Sequence, residues 1–286
     1  MSGLPAFALG LCDDAAVFPP GLAPLADAVP AHRRHRAAAY ADLVGPLVLP
    51  VPALDELAPL LSGEDELDVS VTAPGGPAQA AGALAAATGL PIDLRGLEVA
   101  VPAGTATADF FRALDLARRG REDVPVYVEV PRDERRPSVI EGLAATGHRA
   151  KFRTGGVTAD LYPSPDELAA AVHAAVGADV PFKATAGLHH PVRNTDPETG
   201  FDQHGFLNLL LATDAALDGR PPSDLAELLA DRDAASVAAR VSELSALRVA
   251  AARARFQSFG TCSITDPLTE LADLGLLPPA ITKDTR

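Results

Sequence analysis

Sulfur and tryptophan are almost missing from this chain: of 286 residues two are cysteine, one is methionine and none is tryptophan. Two thiols as far apart as Cys12 and Cys262 exclude a disulfide framework or a cysteine zinc cluster, and buried, unreactive thiols are the expected state. Positive charge is in deficit as well. A formal net charge of -14 excludes general attraction to nucleic acid or to an anionic membrane surface. No apolar run is long enough to span a bilayer, and the opening MSGLPAFALGLCDDAAVF lacks a basic start and meets Asp13-Asp14 where a signal peptide would continue. The Gly75-Gly76 and Ala103-Gly104 turns lack a phosphate-loop or dinucleotide fingerprint, so no cofactor is implied. These absences point to a cytoplasmic protein with no nucleic-acid partner and no membrane partner. A small, anionic metabolite is the expected partner, and assembly into a homo-oligomer stays open.

Lysine is the most informative scarcity. Only Lys151, Lys183 and Lys283 occur among 24 basic residues, the rest being arginine. Lys283 stands in a polar C-terminal stretch, ITKDTR, where no particular cation is required. Lys151 and Lys183 instead interrupt apolar, strand-like segments, where a buried lysine can lose its proton and an arginine cannot.

What is present is a repeated alternation of short apolar runs with Ala/Leu-rich stretches of helical period, the pattern of βα units around a parallel sheet. Strands are predicted at 46–51, 67–74, 97–104, 124–131, 149–156 and 180–187, with FALGL at 7–11 as a first strand and 255–264 as the last. A helix around RHRAAAYADLV should follow the first strand. Ser164 and Glu167 form a capping box ahead of the helix after 149–156. Eight strands close a (β/α)8 TIM barrel, so the chain reads as one α/β domain over 1–286, with a doubly wound open sheet as the alternative. About seventy residues separate the last two strands, far more than a normal connection, and 189–254 reads as a mainly helical insertion.

Period-2 alternation puts Lys151 and Arg153 on one side of their strand and Phe152 on the other. Lys183 and Thr185 share a side, as do Tyr127 and Glu129. In a barrel those sides face the axis near the C-terminal strand ends, where catalytic groups gather. Two ammonium groups on neighbouring strands disfavour charging both, so at least one lysine should have a lowered pKa and act as a nucleophile toward a carbonyl. The alternative is a barrel-filling ion pair with Glu129.

The pair Lys151-Phe-Arg-Thr-Gly and Lys183-Ala-Thr-Ala-Gly-Leu, 32 residues apart, resembles the K-x-x-T-G and K-A-S-G-G-I strands of the deoxyribose-phosphate aldolases. Phe259-Gly-Thr-Cys-Ser263 is similar to that family's final-strand I-G-T-S-S, and the VYVEV run with Glu129 to its V-I-I-E-T. The resemblance implies a class I, Schiff-base aldolase-like lyase acting on a small anionic oxo compound bearing phosphate or carboxylate. It implies Lys151 as the Schiff-base lysine and Lys183 as the neighbour that lowers its pKa. Substrate contacts would come from Thr154, Thr185, Gly187, Gly260, Thr261 and Ser263. The family's fourth-strand E-V-D-x-V carries a proton-relay aspartate; here Glu98-Val99-Ala100-Val101 puts alanine in its place. Arg153 adds a cation that the family lacks.

The polar stretch from His189 to Gly205 leaves the Lys183 strand and should lie over the pocket. His189 or His190 can fill the proton-transfer role left by Ala100, and Arg193 with Asn194 can hold a carboxylate or phosphate. Two other functions compete: a metal-dependent hydrolase or isomerase using His189 or His190, Asp202 and His204, and a non-catalytic barrel that binds an anionic metabolite. Asp13 and Asp14 read as ordinary loop-start acids, and the HRRHR run from His32 to Arg36 as a solvated helix face.

Overall fold

The computed structural model describes residues 3–61, 67–278 and 281, so Lys283 lies outside the described residues. The barrel strands are β1 (Cys12–Asp14), β2 (Val44–Pro50), β3 (Leu67–Ala73), β4 (Ile92–Ala100), β5 (Val126–Glu129), β6 (Arg149–Arg153), β7 (Phe182–Thr185) and β10 (Phe256–Thr261). They pair in parallel in the closed order β1-β10-β7-β6-β5-β4-β3-β2, which settles the barrel against the open sheet. A two-stranded antiparallel pair, β8 (Asn194–Thr195) and β9 (Asp202–Gln203), lies in the long loop after β7.

The alternation within strands explains why the barrel closes. Leu47, Leu49, Val69, Val71, Leu97, Val99, Val126 and Val128 belong to the continuous apolar core. Phe152, Phe182 and Phe256 continue it, with ring centroids 5.2 and 5.6 Å apart along the series. Residues of opposite parity turn inward, and in β4 to β7 most of those are polar or charged. The apolar parity drives burial, while the inner parity must be satisfied by pairing.

Helices α1 (Leu25–Ala37), α3 (Pro77–Ala87), α4 (Thr107–Ala117) and α5 (Arg136–Thr146) directly follow β1, β3, β4 and β5, and α6 (Pro165–Gly177) follows β6 after a 3-10 turn at Ala159–Leu161. A short helix, α2 (Ala53–Leu57), follows β2. Ser164 caps α6 by accepting from the Glu167 amide at 3.2 Å. The reciprocal half of the capping box does not form, because Arg132 and Arg136 hold the Glu167 carboxylate. Between β7 and β10 run α7 (Phe206–Leu217), α8 (Pro222–Ala230), α9 (Ala234–Glu243) and α10 (Ala246–Arg255). Buried on every side from Phe206 to Ala216, α7 is the helix the others wrap. The last helix is α11 (Thr265–Asp273).

Three expectations need correction. FALGL is not the first strand: Ala6–Ala8 form a 3-10 turn and Gly10 takes a left-handed conformation at φ +58°, so extended chain begins only at Cys12. The helix foreseen around RHRAAAYADLV ends at Ala37 and begins upstream at Leu25. His32 within it is fully buried against Asp14, Nδ1 to Oδ2 3.0 Å, rather than solvated.

Buried histidines give the fold a predicted acid limit. Burial, then the Arg118 charge, pushes His148 down to about 4; burial likewise carries His204 down to about 4. A histidine whose folded pKa is lowered binds fewer protons folded than unfolded. Its contribution is therefore complete above pH 6.5 and lost as pH falls from there toward 4, at about 1 kcal/mol per pH unit for each ring. Thermal midpoints measured across this window should fall steadily, and a His148→Gln variant should show a shallower fall.

Candidate active site

The inward residues of β1, β4, β5, β6 and β7 meet at the floor of a cavity of about 560 Å³ at the C-terminal end of the barrel. There six side chains form a chain of alternating charge. Asp13 Oδ2 accepts from Lys183 Nζ at 2.5 Å, and Lys183 Nζ also donates to Glu98 Oε1 at 2.5 Å. Glu98 Oε2 is 2.9 Å from Lys151 Nζ, which is 3.1 Å from Glu129 Oε2. Glu129 Oε1 accepts from Arg153 Nε at 2.9 Å. Three anions and three cations thus compensate each other, and a single carboxylate, Glu98, bridges both lysines.

Strand register builds this chain. Glu129, Lys151 and Lys183 are direct neighbours across β5, β6 and β7, and Arg153 stands level with Thr185 one step nearer the mouth. Asp13 fits because its neighbour on β2 is Gly45, where a Cβ would lie 2.2 Å from Asp13 Oδ1. Ser258 of β10 donates to Asp13 Oδ2 at 2.8 Å. Beneath, Lys183 Nζ lies 5.3 Å from the centroid of the Tyr127 ring, whose hydroxyl donates to Gln257 at 2.8 Å and accepts from Arg149 at 2.9 Å.

Burial opposes every charge here, and the partners decide the outcome. For Lys183 burial works against the ammonium, but Asp13 and then Glu98 outweigh it and hold the amine above the ordinary lysine range. Burial would also raise Glu98, yet Lys151 and Lys183 bring it down to about 2. Glu129 is lowered too, Lys151 and Arg153 overcoming its burial. Asp13 goes the other way: its burial exceeds the pull of Lys183, and its pKa is raised. Two like charges on neighbouring strands should lower a lysine pKa, and Lys183 is raised instead. Interleaved carboxylates separate the cations that sequence alone placed face to face.

Around the mouth, Gly187 takes φ +71° and packs against Gly155 and Tyr162; a Cβ there would meet Tyr162 at 3.0 Å and the Gly155 Cα at 3.1 Å. Ala186, also left-handed at φ +65°, lines the cavity beside it. Thr185 lines the same wall with its hydroxyl enclosed and without a hydrogen-bond partner among the described residues. His189 borders the cavity with Nδ1 3.6 Å from Cys262 Sγ, and burial followed by the neighbouring His190 lowers its pKa.

Of the residues expected at the site, Lys151, Lys183, Glu129, Arg153, Thr185, Gly187, His189 and Gly260 line the cavity. The others stand apart from its wall. Thr154 donates to the Ala186 carbonyl at 2.5 Å and secures the turn after β7. His190 pairs with Glu270 at 2.6 Å, Asn194 donates to the Val192 carbonyl, and Thr261 and Ser263 bond within their own turn. Arg193 holds Asp202 at 3.2 Å and His204 at 3.3 Å; Asp202 also binds Arg232, while His204 Nε2 lies 2.8 Å from the Pro163 carbonyl. The residues of the metal reading are therefore occupied by other partners, and no group of three candidate ligands is gathered among the described residues.

Sequence reasoning passes over Asp13 and Glu98. A signal for Glu98 exists: it is the one charged residue in the apolar run LEVAVP, in phase with Ala100 and thus inward. The misplaced first strand hides Asp13 as a loop residue.

No protein-family model and no curated protein matches this chain. Among solved structures, a Yersinia pestis DHPS in complex with a pterine-sulfa conjugate is similar at a TM-score of 0.43 and 11% identity, over 94% of this chain and 93% of that one. Among the described residues, no helix is long and apolar enough to cross a membrane.

Proposed function

We propose that the chain is a Schiff-base-forming, aldolase-like lyase acting on a small anionic oxo compound, with Lys151 as the nucleophile. The observation that carries this reading is the charge chain itself: one lysine amine at a cavity floor, flanked by two carboxylates, with a second lysine held charged behind it. The aldolase-like motifs around Lys151 and Lys183 agree with it.

Lys151 is the better nucleophile on accessibility. Its side chain retains 7% exposure against 1% for Lys183, which is enclosed by Asp13, Glu98 and Tyr127. Glu98 is held by both lysines and its side chain is 1% exposed, against 22% for Glu129. Glu129, nearer the mouth, takes the proton that leaves Lys151. The neutral nitrogen then attacks the carbonyl carbon, and the C=O electron pair moves to oxygen, which is protonated. Loss of water leaves a protonated iminium with the same single positive charge as the resting ammonium, still facing Glu98 and Glu129. An adjacent carbon-carbon bond breaks as its electron pair enters the iminium to give an enamine, while the departing fragment's hydroxyl loses its proton and becomes a carbonyl. Protonation at carbon and hydrolysis regenerate the amine.

An iminium acidifies hydrogen on the neighbouring carbon, which makes deuterium exchange a direct test. A panel of aldehydes and 2-oxo acids incubated in D2O with the protein should include compounds that lose their α-proton NMR signal faster than buffer controls. Lys151→Arg, which keeps the charge but cannot form the imine, should return them to the background rate. Exchange undiminished in that variant rejects Lys151 as the nucleophile.

A further inference from the structure

The cavity is divided by chemistry. Its floor is the charge chain. One step above, β6 and β7 place Arg153 level with Thr185, and both line the wall. Arg153 engages Glu129 through Nε alone, and its two terminal nitrogens have no hydrogen-bond partner among the described residues. The Thr185 hydroxyl is likewise enclosed without one. A guanidinium presenting two free N–H groups beside an unpaired hydroxyl matches a carboxylate, whose two oxygens accept in parallel. Residues two apart on one strand are about 7 Å apart. Lys151 Nζ and Arg153 Nε hold the two oxygens of one carboxylate, Glu129, at 3.1 and 2.9 Å, so a molecule with its carboxylate on Arg153 can set a carbonyl on the next carbon against Lys151.

The rest of the lining is mostly apolar, with Asp196, Glu198, Thr199, Gln203 and His189 set into it. Phe18, Pro20, Val157, Leu161, Tyr162 and Phe201 line the outer cavity. The Tyr162 and Phe201 rings meet at 5.4 Å, and Val157 stays 75% exposed at the rim. An exposed valine and two rings that line one cavity are apolar surface available for burial.

Building on the Schiff-base reading, we propose that the substrate is a 2-oxo acid carrying a bulky apolar, aryl-sized substituent. The carbonyl meets Lys151, the carboxylate meets Arg153 and Thr185, and the tail fills the outer cavity. By drawing the guanidinium toward the substrate, the carboxylate also loosens Glu129 from Arg153, freeing it to accept the Lys151 proton.

Calorimetric binding of three compounds tests this class separately from the chemistry: 4-phenyl-2-oxobutanoate, 2-oxobutanoate without the ring, and 3-phenylpropanal without the carboxylate. Measured on Lys151→Arg, where no imine forms, the first should bind at least about tenfold tighter than either of the others. Thr185→Val and Arg153→Gln should each reduce its advantage over the aldehyde, and Phe201→Ser its advantage over 2-oxobutanoate. Thr185→Val leaves the charge chain intact, so it remains informative if Arg153→Gln fails to fold. Equal binding of the three compounds, or tighter binding of 2-oxobutanoate, overturns the proposal. If the preference appears but the wild type catalyses no exchange, the substrate class stands and the Schiff-base reading falls. Exchange without the preference leaves the chemistry standing and removes the class.

Discussion

Replacing Glu98 by glutamine is expected to abolish turnover and to destabilise the protein by about 3–5 kcal/mol at neutral pH, the cost of leaving a buried charge uncompensated. Glu98 is 2% exposed and supplies one oxygen to each lysine. Glutamine keeps the shape but carries no charge, and its amide NH2 is a donor that must face an ammonium. Two cations then share a site built for a cation-anion-cation sequence, and one of them must move or give up its proton. The thermal midpoint should fall by roughly 10 °C, taking 2–4 °C per kcal/mol for a chain of this size class. Proton exchange on any active oxo compound should fall at least about a hundredfold, because the Lys151 iminium loses one of the two carboxylates that face it. A Glu98→Gln protein as stable and as active as the wild type would mean that the charge chain is not a coupled unit.

The second large effect concerns Lys183. Lys183→Met fills the volume with an apolar chain but leaves Asp13 and Glu98 facing each other with one cation fewer. A loss of about 3–5 kcal/mol is again expected at pH 7, with a specific pH dependence. Asp13 already has a raised pKa from burial, and Lys183 is the main influence restraining it. Removing that cation pushes the carboxyl further up. A folded acid with a raised pKa binds more protons than the unfolded chain, so the variant should regain stability relative to the wild type as pH falls and Asp13 takes up a proton. Denaturation midpoints at pH 7 and pH 5 should converge on the wild-type values at the lower pH. A gap that widens on acidification would contradict the assignment of Asp13 as the partner.

The barrel was legible because its evidence is local and repeated. Seven of the eight strands follow from apolar runs and their alternation, and inward placement of Lys151, Arg153, Lys183, Thr185 and Glu129 follows from parity alone. The lysines stood out by scarcity. What sequence could not supply was pairing across the axis. Nothing local says that Glu98, on a strand not adjacent to β7, meets Lys183, since that contact depends on barrel closure and side-chain reach. Ala100 drew attention to a missing carboxylate, while an acid two residues upstream on the same face filled the space between the amines. Asp13 was lost because Gly10 ended the turn later than the apolar pattern suggested. The loop from His189 to His204 looked catalytic from its composition, yet most of its polar groups bind one another, which only three-dimensional contacts reveal.

Borohydride reduction followed by peptide mass mapping shows directly whether Lys151 forms the imine. With an oxo acid that exchanges its α-protons, a single reduced adduct should appear on the peptide containing Lys151, with none on the peptide containing Lys183 and none in Lys151→Arg. An adduct on Lys183, or active turnover with no trapped adduct on either lysine, would contradict Lys151 as the nucleophile.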